Sequence, residues 1–329
     1  MSPRARVIAI VAVAALLAAG GTVGLAVVTA NDEGGAPQAK AREGAPPLFL
    51  GDLGVRDDPE ARALRRADGL YADGRRRAAG RIFGRYDSPA AQVGAAFAAW
   101  PDDSLARLES LAEERPRSAF VLLHLGYALL WRGDNEEAVD AWRKAVRAEP
   151  DSASSQQADD ELHANFPPGQ PHFVPSFAPP PRLARLSPPR QLAELRRAAQ
   201  RPDVHAKLLY GLALQRLGHK VSARRVYDQA ARLAPADPEA VVAAAVVRFD
   251  KSRPAAAFSR LGPLTRRFPH APTVRFHLGL LLFWLAGTQP GAVDAGKRQL
   301  RLARDEAPRS PLAREAKRLL ARLETVQTG

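Results

Sequence analysis

Apolar and polar residues alternate along this chain with the period of helices. From residue 58 to residue 325, large apolar residues recur three or four positions apart, which is the spacing of one face of an α-helix. Alanine and leucine dominate the apolar residues and aromatic residues make up only 6%. Because both are strong helix formers and poor strand formers, we predict an all-α fold.

The first apolar segment, Val7–Val28, has the length of a membrane-spanning helix. It contains 22 residues without a charge. At about 1.5 Å per residue it extends roughly 30 Å, the thickness of the hydrocarbon core of a bilayer. We therefore predict a transmembrane signal-anchor over residues 7–29, with residues 1–6 before it and a flexible tether over residues 30–57 after it.

The charges that flank this segment predict its orientation. Arg4 and Arg6 precede it, whereas Asp32 and Glu33 follow it. By the positive-inside rule the N-terminus is cytoplasmic and the rest of the chain is extracytoplasmic, as in a single-pass protein of a bacterial cell membrane. In the alternative interpretation, small residues ending at Ala30 form a signal-peptide cleavage site and the rest is secreted.

Prolines recur at a fixed interval in the helical region. Pro116 and Pro150 are 34 residues apart, and so are Pro235 and Pro269. Each of them closes an alanine-rich helical segment. A fixed period of this size predicts stacked supersecondary units.

Residues 119–152 show the pattern of one unit. Apolar residues and a glycine share one face of a first helix, a glycine makes the turn, and alanines and a tryptophan share one face of a second helix. The residues are Leu122, Leu125, Gly126, Leu129, Gly133, Ala138, Trp142, Ala145 and Pro150. This pattern resembles the tetratricopeptide repeat (TPR). Its small residues lie where two helices approach closely, and its large ones fill the space between them.

The pattern recurs along the chain. The resemblance implies a right-handed α-α superhelical solenoid of TPR-like helical hairpins, preceded by the one transmembrane helix. Its segments are degenerate hairpins at 58–118, repeats at 119–152, 204–237, 238–271 and 272–309 (the last with a lengthened turn), and a capping helix at 310–325.

An interrupted repeat occupies residues 153–203. It contains a proline-rich insertion, residues 167–189, which cannot be helix or central strand because proline lacks the amide donor. The insertion is either a surface loop or an extended arm that packs on the groove or on a partner through Phe173 and Phe177. We expect it to be docked, because a long apolar loop that bears aromatic residues is unfavourable in water.

The resemblance implies that the first helices of the repeats line a concave groove that binds a peptide. We call the residues at these positions the candidate groove: Leu123, Tyr127, Trp131, Leu208, Leu212, Gln215, Val246, Phe249, Phe276, Leu280, Phe283 and Trp284. In the alternative interpretation these side chains are core, covered by neighbouring repeats or by the proline-rich insertion.

The charge of the chain allows a second kind of partner. The formal net charge is +13, and 41 of the 48 basic residues are arginine. Such a surface either binds a polyanion or is simply solvated, and the second interpretation expects arginines spread along the chain. The densest basic patch consists of Arg75, Arg76, Arg77, Arg81 and Arg85, which would suit anionic lipid or a cell-wall polymer.

The sequence carries no pattern that predicts catalysis. It lacks cysteine, which excludes disulfides, thiolate metal sites and a cysteine nucleophile. Nucleotide-binding and hydrolase motifs are absent, and the seven histidines do not have metal-ligand spacing. We therefore expect no enzyme, cofactor or metal, and no nucleic-acid partner, since no aromatic residues are interleaved with the arginine patch.

The resulting hypothesis is a membrane-anchored protein–protein interaction scaffold that binds a peptide or protein in envelope assembly, secretion or protein maturation. Two alternatives remain at this stage. One is an arginine-rich surface protein that binds anionic lipid or cell-wall polymer, and the other is a regulatory subunit of an envelope enzyme.

Overall fold

The computed structural model describes residues 42–328, and every regular element in that range is helical. The all-α fold class is therefore confirmed for this part of the chain. The predicted cytoplasmic N-terminus (1–6), the signal-anchor (7–29) and the tether up to residue 41 lie outside the described residues. Within residues 42–328, no helix is both long enough and apolar enough to cross a membrane.

The described residues form two compact units, residues 42–162 and residues 163–328, each with its own hydrophobic core. The first unit contains α1 (Pro59–Ala72), α2 (Arg76–Phe83), α3 (Pro89–Ala98), α4 (Ser104–Glu114), α5 (Ala119–Arg132), α6 (Asn135–Ala148) and α7 (Ala153–Leu162). The second contains α8 (Pro188–Ala199), α9 (Val204–Arg216), α10 (Lys220–Leu233), α11 (Pro238–Val246), α12 (Ala255–Leu261), α13 (Leu264–Arg267), α14 (Pro272–Trp284), α15 (Ala292–Glu306) and α16 (Pro311–Thr328). Short 3-10 helices occur at Gly51–Leu53 and Pro181–Arg185.

Polar side chains mark where several of these helices begin. Four polar residues each precede a helix, and each side-chain oxygen accepts a hydrogen bond from an amide of the first turn. They are Asp58, Ser88, Ser118 and Asp203. These bonds satisfy amides that have no partner inside the helix. The start of each of these four helices is therefore fixed by the local sequence.

Small residues let the two helices of a hairpin approach closely. Gly126 of α5 lies directly beneath the indole of Trp142 of α6, where any Cβ would overlap the ring. The indole Nε1 donates a hydrogen bond to the Leu123 carbonyl at 3.2 Å. In the second unit Gly211 lies beneath the ring of Tyr227 in the same way. Both glycines are required by close packing, as the repeat pattern predicts.

The helices of the second unit lie in two layers. The inner layer consists of α9, α11, α14 and α16, each in contact with the next. The outer layer consists of α8, α10, α12 with α13, and α15. The outer helix α10 packs between α9 and α11, and α15 packs between α14 and α16.

Two predicted segments differ from the structure. The tether was predicted to be flexible over residues 30–57, but residues 42–57 pack on the first unit, with Leu53 only 5% exposed. The second helix of the repeat at 238–271 is split into α12 and α13. The break lies at Pro263, which has no amide hydrogen to continue the helical ladder.

Candidate functional site

A segment without regular secondary structure, residues 42–50, lies on α5 and α1 of the first unit. At one end, the Arg42 amide donates to the Trp131 carbonyl at 2.9 Å, and its guanidinium lies 5.2 Å from the centre of the indole ring. In the middle, the Tyr71 hydroxyl donates to the Pro46 carbonyl at 2.6 Å. We call this segment the entry strap. The end of α5 and the tyrosine of α1 thus both hold the backbone of this segment.

His124 of α5 makes the central contact with the entry strap. Its Nδ1 lies 2.7 Å from the Phe120 carbonyl, so this nitrogen carries the proton and donates. Its Nε2 therefore accepts, and the Phe49 amide donates to it at 3.0 Å. Burial lowers the pKa of His124 to about 4, which keeps the ring neutral at pH 7.

Further along, the chain that continues from the entry strap reaches the start of α7. The Asp52 carboxylate accepts a hydrogen bond from the Ser154 amide at 3.1 Å and another from the Ser154 hydroxyl. Ser154 is buried, and Asp52 places a negative charge beside amides of the first turn of α7. The segment is therefore fixed to the unit beyond α5 as well.

An extended segment in the proline-rich insertion, residues 170–177, occupies the inner layer of the second unit. We call it the arm. His277 of α14 is its counterpart of His124: Nδ1 lies 2.7 Å from the Thr273 carbonyl, and Nε2 accepts from the Val174 amide at 2.8 Å. Burial lowers the pKa of His277 to about 4 as well.

Phe173 anchors the arm and is fully buried. Its ring stacks on the His277 imidazole, with centroids 5.2 Å apart, and meets the Tyr227 ring edge-on at 5.8 Å. Its amide donates to Gln215 Oε1 at 3.1 Å, and the Tyr227 hydroxyl donates to the same oxygen at 2.9 Å. One glutamine side chain thus accepts from both the arm and the aromatic residue that packs on it.

The far end of the arm contacts the inner helices α11 and α9. The Ser176 amide donates to Glu239 Oε1 on α11 at 2.7 Å. Burial raises the pKa of Glu239, and hydrogen bonding from Ser176 reduces this rise. The Phe177 ring lies 4.2 Å from the imidazole of His205, the second residue of α9. The arm therefore contacts α9, α10, α11 and α14 through backbone amides and aromatic rings.

One stretch of the chain matches a family of known proteins. The match extends over residues 120–152, which comprise most of α5 with α6, and the family is the tetratricopeptide repeat. Residues 120–152 form a tetratricopeptide repeat. This TPR hairpin is the one in which Gly126 packs beneath Trp142 and in which His124 binds the entry strap.

No curated protein matches the chain. Several solved structures are similar to it. A TPR protein from Parabacteroides merdae is 10% identical, with a TM-score of 0.34 over 80% of this chain and 98% of that chain. The C-terminal part of a TPR protein from Cytophaga hutchinsonii is 12% identical, with a TM-score of 0.28 over 77% and 98%. Yeast Tom70 is 13% identical, with a TM-score of 0.28 over 86% and 61%.

The candidate groove is not an open surface on either unit. Trp131, at the end of the TPR hairpin's first helix, is half-buried under Arg42. The other eleven residues are buried: Leu123, Tyr127, Leu208, Leu212, Gln215, Val246, Phe249, Phe276, Leu280, Phe283 and Trp284. Of the two interpretations of these positions, the structure supports the covered core. The side chains are covered by neighbouring helices, by the entry strap and by the arm.

The predicted basic patch lies on the first unit, along α2 and just beyond both of its ends. Arg76 is half-buried and donates to the Trp100 carbonyl at 2.7 Å, so it is a structural residue. The side chains of Arg75, Arg77, Arg81 and Arg85 are exposed. Four of the five patch residues are therefore accessible to a polyanion.

Sequence reasoning predicted the docked arm but missed the residues that hold it. Phe173 is confirmed as the buried anchor, and Phe177 contacts α9. His124 and His277 belong to no sequence motif, and both are fully buried side chains that accept a hydrogen bond from a backbone amide of a non-helical segment. Each is the sixth residue of its helix, and this shared position was the available signal. Among residues 42–328, no cluster of three or more potential metal ligands occurs.

Proposed function

We propose that this protein is a membrane-anchored protein–protein interaction scaffold whose inner helices bind extended polypeptide. The observation that carries the proposal is the arm: the second unit holds residues 170–177 through backbone amides and a buried phenylalanine. Recognition through backbone amides with one or two side-chain pockets is a common way for domains to bind extended peptides. The proposal assigns no catalytic residue.

The arm also indicates the chemistry of the partner. The pocket between Tyr227 and His277 takes an aromatic ring, and Gln215 and Glu239 accept amide hydrogens on either side of it. A partner would present an extended segment with a phenylalanine or a similar aromatic residue. Such a segment competes with the arm, since both need the same acceptors.

Binding of a peptide in trans tests this part of the proposal. A fluorescent peptide that copies residues 169–178 is titrated against the full chain and its Phe173→Ala variant, and anisotropy is recorded. We expect the variant to bind at least tenfold more tightly than the unchanged chain, because its own arm no longer fills the aromatic pocket. A peptide with alanine in place of its phenylalanine is the matched control and is expected not to bind.

A second variant keeps this test decisive if Phe173→Ala unfolds. Val174→Pro removes the amide that donates to His277 and leaves the aromatic anchor in place. If both variants retain the circular dichroism spectrum of the unchanged chain and neither binds the peptide, the inner layer is a closed core and the scaffold proposal is wrong for this unit.

Anchoring and topology are proposed from the sequence. The apolar run Val7–Val28 and the charges around it support an anchor with both helical units outside the cytoplasm, or secretion after cleavage following Ala30. Protease added to intact spheroplasts is expected to degrade the helical units. Degradation only after lysis would place them in the cytoplasm and contradict the proposed topology.

A further inference from the structure

The positive charge of the chain is concentrated in the second unit. Residues 163–328 contain 28 Lys and Arg against 11 Asp and Glu, a formal charge of +17. Residues 42–162 contain 17 Lys and Arg against 22 Asp and Glu, a formal charge of −5. The arginines themselves are spread evenly, 16 in the first unit and 23 in the longer second unit, as the solvated interpretation expects. The opposite signs arise because the second unit has only half as many acidic residues, so its arginines have few carboxylates to neutralise them.

Within the second unit, the outer layer displays many of these charges. Three of its helices each carry exposed arginines, represented by Arg190 and Arg196 on α8, Arg224 and Arg225 on α10, and Arg298 and Arg301 on α15. Among the described residues, none of these six takes part in an ion pair. Two of the acidic side chains nearby already have partners, since Glu194 pairs with Arg197 and Asp228 pairs with Arg248. Asp294, four residues before Arg298, offsets part of the charge on α15.

Aliphatic side chains are exposed on the same outer helices. Within residues 42–324, the large apolar side chains with more than a third of their surface exposed are Val221, Leu233 and Leu302, at 37%, 43% and 43%. Val221 lies four residues before Arg225 on α10, and Leu302 lies four residues after Arg298 on α15. Residues four apart share a helical face, so guanidinium groups and aliphatic groups face the same side.

We infer that the outer layer of the second unit binds the surface of an anionic phospholipid bilayer. Guanidinium groups bind phosphate oxygens in a bidentate manner, and aliphatic side chains among them enter the boundary between headgroups and acyl chains. Exposed aromatic residues, on which single-stranded nucleic acids stack, are absent from the described part of this surface. The inference does not depend on peptide binding, because the exposed arginines and aliphatic side chains of the outer helices are not the residues that hold the arm.

A fluorophore on the outer layer tests the contact directly. The chain has no cysteine, so Leu302→Cys gives the full chain a single site for an environment-sensitive dye. The labelled protein is mixed with vesicles of phosphatidylcholine alone or of equal parts phosphatidylcholine and phosphatidylglycerol. We expect a blue shift and quenching by nitroxide-labelled lipid only with the anionic vesicles, and loss of both in about 1 M salt, where charges are screened beyond about 3 Å.

Two controls separate this surface from the rest of the chain. The dye at Ala72→Cys, an exposed position of α1, reports on the first unit and is expected to remain unquenched. Replacing Arg224, Arg225, Arg298 and Arg301 by glutamine is expected to weaken vesicle binding at least tenfold. The matched replacement of Arg75, Arg77, Arg81 and Arg85 removes the same charge from the first unit and is expected to change it less than twofold.

Three outcomes would overturn the inference. The first is a dye at position 302 that stays unquenched with anionic vesicles. The second is an equal loss of vesicle binding in the two arginine variants, provided that both keep the unfolding temperature of the unchanged chain. The third is tighter binding of a DNA duplex than of anionic vesicles by the same outer-layer arginines, which would assign the surface to nucleic acid.

Discussion

His124 and His277 occupy the same position in two different helical units. Each is the sixth residue of an inner helix, α5 or α14, and each donates from Nδ1 to the carbonyl four residues earlier. Each then accepts an amide hydrogen from an extended segment at Nε2, from Phe49 at 3.0 Å and from Val174 at 2.8 Å. A repeated helix pattern has thus produced a repeated acceptor for extended backbone.

The two histidines make the stability of the fold depend on pH. Burial lowers both pKa values to about 4 from an ordinary value of 6.5, so the unfolded chain binds more protons than the folded chain between these values. Stability is therefore full above pH 6.5 and falls as the pH drops towards 4. We expect a loss of about 3 kcal/mol for each histidine at most, measured as the free energy of unfolding in urea at pH 7 and pH 4.5.

The double variant His124→Gln, His277→Gln isolates this contribution. The carboxylates of the chain titrate in the variant and in the unchanged chain alike, so their effect cancels in the difference. Glutamine can accept the same amide hydrogen but does not titrate, so the difference between the two proteins is expected to shrink as the pH falls. His270→Gln, at an exposed position, is the matched control and is expected to leave the pH dependence unchanged. Parallel curves for the double variant and the unchanged chain would contradict the assignment.

Adding one methyl group distinguishes glycines required by packing from glycines that are not. Gly126→Ala places a Cβ into the Trp142 indole, and we expect a loss of roughly 1–3 kcal/mol from overpacking. Gly69→Ala, within α1, meets no atom within 4 Å and removes a helix-destabilising residue, so we expect a gain of up to about 1 kcal/mol. Urea denaturation measures both, and equal effects would show that the TPR hairpin is looser than its geometry indicates.

Removing the aromatic anchor is expected to release the arm. Phe173 is fully buried, so Phe173→Ala is expected to destabilise the second unit by about 3–5 kcal/mol and to expose residues 167–180 to proteases. Pro179→Ala, at an exposed position of the same insertion, is the matched control and is expected to change neither. Limited proteolysis followed by mass spectrometry identifies the cleavage sites, and an arm that stays protected in the Phe173→Ala protein would contradict this account.

The hairpins could be predicted from sequence because their determinants are local. Gly126 and Trp142 are sixteen residues apart within one repeat, and the proline spacing of 34 residues sets the register for both. The docked arm could be predicted for a similar reason, since an apolar segment with Phe173 is unfavourable in water wherever it lies. Both inferences needed only the residue types and their spacing.

The acceptors could not be predicted because they depend on contacts that are distant in sequence. Phe49 and His124 are 75 residues apart, and Val174 and His277 are 103 apart. Neither bond leaves a periodic pattern, because the donor is a backbone amide that any residue other than proline provides. The opposite net charges of the two units could not be predicted either, because they can be counted only once the boundary near residue 162 is known.

Gln215 is expected to couple the arm to the core of the second unit. Its Oε1 accepts both the Phe173 amide and the Tyr227 hydroxyl, so Gln215→Leu leaves two buried donors without a partner. We expect Gln215→Leu to cost roughly 2–4 kcal/mol and Tyr227→Phe, which removes one donor, about 1 kcal/mol. The double variant is expected to be more stable than the sum of the single losses predicts, because it retains only one unpartnered donor.

The double-mutant cycle, measured in urea with the intrinsic fluorescence of the full chain, gives the coupling energy. Tyr210→Phe, at a half-buried tyrosine of α9, is the matched control and is expected to show no coupling to Gln215→Leu. Strict additivity for Tyr227 would mean that the shared oxygen does not link the arm to α10. In that case Phe173 would be held by ring packing alone, and a competing segment would need only an aromatic residue to displace the arm.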